Sequence, residues 1–164
     1  MLGAIIGDII GSRFEFSEPP KPGFKLFTPE CSYTDDTICT IAIADAIMNG
    51  KSYRDALLEW CRRYPHPMGS YGGKFYEWIN SDNPQPYNSF GNGSAMRVSP
   101  VAYYAKDIEE CKKLSREVTE ITHNHPEGIK GAEATTVATY MALHGSNKDE
   151  IRDYLERDVA RSSK

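Results

Sequence analysis

Apolar residues recur along this chain at three- and four-residue intervals, and strict alternation never persists beyond a few positions. That spacing predicts helices and no sheet. The first helix runs from Leu2 to about Ile10 and is apolar nearly all round, which assigns it to a core. Prolines at 19, 20, 22 and 29 make the next segment a loop. A second buried helix begins in "YTDDTICTIAIADAIMNG" and stops at Asn49-Gly50. Ser52, with Asp55 three residues on, starts a third that Pro65 closes.

A loop-rich stretch then surrounds a short helix near Lys74–Asn80. "SAMRVSPVAYYA" reads as a helix start with Pro100 in or before its early turns. Asp107 and Glu110 open a helix whose Ile108, Cys111, Leu114, Val118 and Ile121 share one face. Pro126 opens the next, which Gly145 stops, and a Ser146-x-x-Asp149 box opens the last. The fold class expected is all-α, a compact bundle of about seven helices in one domain spanning 1–164.

Charge and cysteine usage narrow the setting. Nineteen basic and 23 acidic residues give −4, with no basic stripe, which argues against nucleic acid as the main partner. Cys31, Cys39, Cys61 and Cys111 form no CxxC pair and read as reduced thiols. The apolar N-terminus is interrupted by Asp8 and lacks a preceding basic region. It is a poor signal peptide and too short to span a bilayer, so a cytoplasmic protein without a membrane partner is expected.

Four stretches could carry chemistry. In Thr34-Asp35-Asp36-Thr37 two carboxylates precede an apolar helix, where their mutual repulsion is costly. They are either a solvated helix N-terminus or hard oxygen ligands for Mg²⁺ or Mn²⁺. "GAIIGDIIGSRFE" has glycines at 3, 7 and 11, which permit close helix packing, and ends on Glu15. "FGNGSAMR" sets Gly91 and Gly93 around Asn92, either a turn or backbone amides able to approach an anion. "THNHPEG" puts His123 and His125 at a helix start, either structural or ligand-facing, and no third soft ligand supports zinc.

Taken in order, "GAIIGDIIGSRFE", "YTDDT", "GNGSAMRVSP" and "THNHPEGIKGAEA" resemble the ADP-ribosylglycohydrolase family, which includes the dinitrogenase reductase-activating glycohydrolase. The resemblance runs from Gly3 to about Ala142. It implies the family's orthogonal helical bundle, with a cleft that holds two Mg²⁺ or Mn²⁺ ions. It implies that Thr34, Asp35, Asp36 and Glu15 are metal ligands, and that Glu15, Asp35 and Asp36 are catalytic. Gly91, Asn92, Gly93, Ser94, Met96 and His123 would bind substrate. The implied activity is cleavage of the glycosidic bond in ADP-ribosylated protein or small molecules.

The family's later Asp-x-Asp-Thr/Ser motif is not found after Ala142, and Asp149, Asp153 and Asp158 do not match it. The chain is therefore expected to be an N-terminal portion of the fold, binding at most one divalent ion weakly. It would be a hydrolase completed by a partner chain or by rearranged ligands, an ADP-ribose-binding module, or a truncated product without independent function. A homo-oligomer covering the apolar first two helices is the partner expected from their exposure.

Overall fold

The computed structural model describes residues 1–162, so the last two positions of the expected 1–164 domain lie outside the described residues. Among these, eight α-helices follow one another: α1 Leu2–Gly11, α2 Asp35–Asn49, α3 Tyr53–Arg63, α4 Gly73–Asn80, α5 Ser99–Tyr104, α6 Ile108–Glu120, α7 Pro126–Leu143 and α8 Lys148–Ser162. Short 3-10 turns lie at Ser12–Phe14 and Ala95–Arg97. The described residues contain no strand, only a single bridge between Thr34 and Met68. The stretch after Ser94 divides in two, and Pro100, which lacks an N–H, sits in the first turn of α5.

Caps place most boundaries where the pattern put them. The Thr34, Ser52 and Asp107 side chains accept from the amides of Asp36, Asp55 and Glu110. Gly50, at φ 63°, ends α2 in the left-handed conformation that a Cβ disfavours. The start of α8 is a correction. Asn147, not Ser146, is its cap: its Oδ1 accepts from the amides of Asp149 and Glu150, and Glu150 answers the Asn147 amide at 2.8 Å. The amide side chain one residue later completes the reciprocal box that the serine would have offered.

The core centres on α2. Ile38, Cys39, Ala42 and Ile43 meet Leu57 and Cys61 of α3, Phe75 and Trp78 of α4, Val101 of α5 and Val118 of α6. Burying a leucine or isoleucine as completely as Leu57 and Ile43 contributes roughly 1.5–3 kcal/mol each. A smaller cluster of Ala105, Cys111 and Val137 lies beneath Tyr140, Met141 and Tyr154, joining α6 and α7 to α8.

The expectation for α1 does not hold. No residue of this helix is buried, and Leu2 is 70 % exposed. Apart from the turn that continues it, the main helical neighbour of α1 is α2, and Ile5, Ile9 and Ile10 are only half-buried. Nor do its glycines serve close helix packing, since a Cβ at Gly3, Gly7 or Gly11 would meet nothing within 4 Å.

Candidate functional site

The site grows from the contact between α1 and the start of α2. Asp8 Oδ2 accepts the Thr34 amide at 3.0 Å, and Oδ1 accepts the Thr34 hydroxyl at 2.6 Å. The Thr37 hydroxyl also donates to Oδ2. One carboxylate thus collects three donors from the turn that opens α2 and sets the direction in which that helix leaves. Thr34 Oγ1 also accepts from the Asp36 amide at 3.2 Å, so capping and anchoring share one hydroxyl.

Asp35 and Asp36 then line a cleft of about 720 Å³ together with Asp8, Thr34 and Glu15. Gly72, Gly73, Lys74 and Phe75 at the start of α4 form a second wall. Tyr87, Ser89, Asn92, Gly93, Met96 and His123 form the third. Glu15 reaches the cleft beside the loop at Gly69, where φ is +80° and a Cβ would fall 2.5 Å from Glu15 Oε2. Only a glycine allows that approach.

Most of the residues singled out by sequence meet here: Glu15, Thr34, Asp35, Asp36, Asn92, Gly93, Met96 and His123. Gly91 and Ser94 flank the cleft without lining it. Ser94 is fully buried with its hydroxyl on the Gly128 carbonyl, and the Gly91 amide donates to the Ser89 hydroxyl. Asp8, Lys74, Tyr87 and Ser89 line the cleft without having been singled out. Asp8 had a signal, a lone charge in an otherwise apolar helix; the other three had none.

The acidic wall is under electrostatic load. Burial, then the charges of Asp36 and Glu15, push the Asp35 carboxyl up to about 7. Burial, then Asp8 and Glu15, raise Asp36 as well. Among the described residues, however, no three His, Cys, Asp or Glu side chains already converge on a point where one ion would touch them all. The carboxylates share a cleft and repel one another, but a cation would have to draw them in. The donor set suits a hard, oxygen-binding ion: carboxylates with one hydroxyl, and no thiolate.

A pH dependence follows from Asp35. A carboxyl whose folded pKa is raised binds its proton more tightly in the native than in the unfolded chain. Its favourable contribution is therefore complete below the ordinary aspartate value and is lost as pH rises toward about 7. In chelator-containing buffer the melting temperature is expected to fall between about pH 4 and about pH 7, and Asp35→Asn to flatten that slope. An unchanged slope in the variant would show that Asp35 is not under this load.

The opposite wall is neutral. His123 is buried, and burial, then the Arg97 charge, lowers its pKa to about 4. The Thr122 hydroxyl accepts from Arg97 Nη2 at 2.8 Å and lies 2.7 Å from His123 Nδ1. When the Thr122 hydroxyl donates to Nδ1, the imidazole carries its proton on Nε2. That nitrogen faces Gly93, where a Cβ would stand 3.2 Å away. At Gly128 a Cβ would come within 2.8 Å of the Ser89 carbonyl, so a glycine at the start of α7 lets the 89–93 loop close on the cleft.

Comparison with known proteins identifies the family. The ADP-ribosylglycohydrolase family pattern matches residues 1–163. ADP-ribosylhydrolase ARH3 of Gallus gallus is 26 % identical over 98 % of this chain and 53 % of its own length. The Homo sapiens protein of that name is 26 % identical over 92 % of this chain and 50 % of its own length. For Danio rerio the figures are 26 %, 89 % and 47 %. The chain thus spans about half the length of the curated relatives it matches. No helix among the described residues is long and apolar enough to cross a membrane. A match over all but the last residue, on a helical frame that gathers Glu15, Asp35, Asp36, Asn92 and His123 into one cleft, makes this chain a member of the ADP-ribosylglycohydrolase family.

Proposed function

We propose that the cleft binds an ADP-ribosyl group and hydrolyses its glycosidic bond with the help of one divalent cation. The carrying observation is that Asp35, Asp36, Glu15 and Asp8 line one cleft, where burial and the neighbouring carboxylates raise Asp35 and Asp36, opposite a wall that is uncharged. Carboxylates crowded together gain most from a cation, and the substrate class is taken from the relatives, which are ADP-ribosylhydrolases by name.

Asp35 and Asp36 would hold the ion, with the remaining lone pair of Thr34 Oγ1 and the Glu15 carboxylate as further ligands. A bound Mg²⁺ or Mn²⁺ would orient ribose hydroxyls and acidify a water. Glu15, the most exposed of these carboxylates, is placed to take the proton of the attacking water. His123 offers Nε2–H from the opposite wall, beside the Gly93 backbone, as a neutral donor to an anionic oxygen of the substrate. Asp8 touches neither and positions Thr34.

The test is release of ADP-ribose from ADP-ribosylated protein by the purified chain, in Mg²⁺ and in chelator, alongside calorimetry with ADP-ribose. Mg²⁺-dependent release is expected, with Asp36→Asn reducing it on the order of 10²-fold, as loss of a group acting on the reacting centre does. ADP-ribose binding without release at any metal concentration would favour a binding module instead. Neither binding nor release would sink both readings.

A further inference from the structure

Two cysteines that the sequence scatters are brought face to face. Cys39 of α2 and Cys61 of α3 set their sulfur atoms 3.9 Å apart, and both side chains are completely buried. A disulfide needs about 2.05 Å between sulfurs, so the two sulfurs have to approach by about 2 Å between the packed helices α2 and α3.

The two thiols differ in surroundings. Cys61 is among the residues that line a cavity of about 140 Å³ between α3 and α4, with Tyr71 and Ile79. Pro65, Tyr76 and Asn80 are exposed at its rim, so the cavity reaches solvent. A water molecule takes up about 30 Å³ of liquid, and hydrogen peroxide is little larger, so the space admits it up to the wall that Cys61 lines, and the thiol, closed off at rest, is met when that wall opens. Cys39 lies behind Cys61 in the main core.

Charge reinforces the asymmetry. Arg97 is wholly buried, and its Nε and Nη1 have no hydrogen-bond partner. A guanidinium left with unpartnered donors favours an anion nearby, and its charge bears on both sulfurs. The two sulfurs share a hydrogen bond that either thiol can donate, and it bears on both, lowering Cys61 and raising Cys39.

We propose that Cys39 and Cys61 are a peroxide-oxidisable dithiol, with Cys61 reacting first and Cys39 closing the disulfide. The Cys61 thiolate attacks one peroxide oxygen and the O–O bond breaks. Cys61 becomes a sulfenic acid, and the departing hydroxide recovers the thiol proton as water. Cys39 sulfur then attacks Cys61 sulfur; the S–S bond forms as the S–OH bond breaks, and the hydroxyl leaves with the Cys39 proton as a second water. Two thiols and one peroxide give one disulfide and two waters, with two electrons passing from sulfur to oxygen. Because Cys39 lies one helical turn after Asp35, the bond ties the acidic wall of the cleft to α3.

The test uses the full reduced chain and does not depend on the hydrolase reading. The chain is treated with equimolar hydrogen peroxide, then unfolded, alkylated and mapped by mass spectrometry. Alkylated thiols are expected to fall from four to two, with the Cys39 and Cys61 peptides joined and lighter by two hydrogen atoms. In Cys39→Ser, dimedone is expected to label Cys61. Recovery of Cys39 and Cys61 as free thiols while half-exposed Cys31 takes up the oxidant would overturn the proposal. A dimedone label on Cys39 in Cys61→Ser, formed as fast as disulfide forms in the parent, would overturn the order of reaction. Since the parent chain carries the first readout, a variant that fails to fold leaves the test standing.

Discussion

Asp8→Ala is expected to destabilise the chain by about 3 kcal/mol, because three donors lose a shared charged acceptor. Two opposing effects meet at this position. Removing the carboxylate relieves part of the repulsion that raises Asp36. It also strands the hydroxyls of Thr34 and Thr37, both about 5 % exposed or less, and the Thr34 amide. Repulsion across a solvated cleft is screened, whereas buried donors without a partner bear nearly their whole desolvation cost, so destabilisation wins. Asp8→Asn keeps one acceptor oxygen and is expected to cost less, about 1–2 kcal/mol. Urea unfolding of Asp8→Ala, Thr37→Val and the double variant gives the coupling directly. Additive effects would mean that the Asp8–Thr37 contact does not bear on stability.

Arg97→Ala is expected to cost about 3–5 kcal/mol, for a reason unrelated to the cleft carboxylates. Arg97 Nη2 donates to the Val118 carbonyl near the end of α6 at 2.9 Å and to the Thr122 hydroxyl, while its guanidinium stands 5.9 Å from the Phe75 ring centre. Alanine leaves a carbonyl unpartnered and a long cavity among α4, α6 and the 95–97 turn. Arg97→Met fills most of that volume and removes a charge with no carboxylate partner but still leaves the Val118 carbonyl without its donor, so it is expected to cost about 1–2 kcal/mol, less than alanine. If methionine proves as damaging as alanine, the charge itself is required, and packing does not explain the residue. Chemical denaturation of the two variants separates these outcomes.

What could be read in the sequence follows the range of the forces involved. Helix starts at Thr34, Ser52 and Asp107 were legible because a cap is local chemistry within three residues. The placement of α1 was not, because apolar periodicity says that a face wants cover and is silent on whether any element supplies it. Asp35, Asp36, Asn92 and His123 were joined by the order of four motifs, and the structure sets them around one cleft. Asp8 was missed as an anchor because its partners lie 26 and 29 residues away, and that pairing exists only once α1 lies on α2. The nearness of Cys39 and Cys61 is equally non-local, since helix spacing within α2 or within α3 carries no mark of it.

The exposure of α1 has a kinetic side. A helix with no buried residue, held on α2 by half-buried isoleucines and the Asp8 bonds, belongs toward the low end of the local opening free energies within a fold. It carries Asp8 and leads directly into Glu15, so a single undocking event withdraws two carboxylates from the cleft together. The cleft is complete only for the fraction of time that α1 is docked, and the observed dissociation constant for a cation is the intrinsic one divided by that fraction. Anything that covers the outer side of α1 would thereby tighten binding at a surface it never touches.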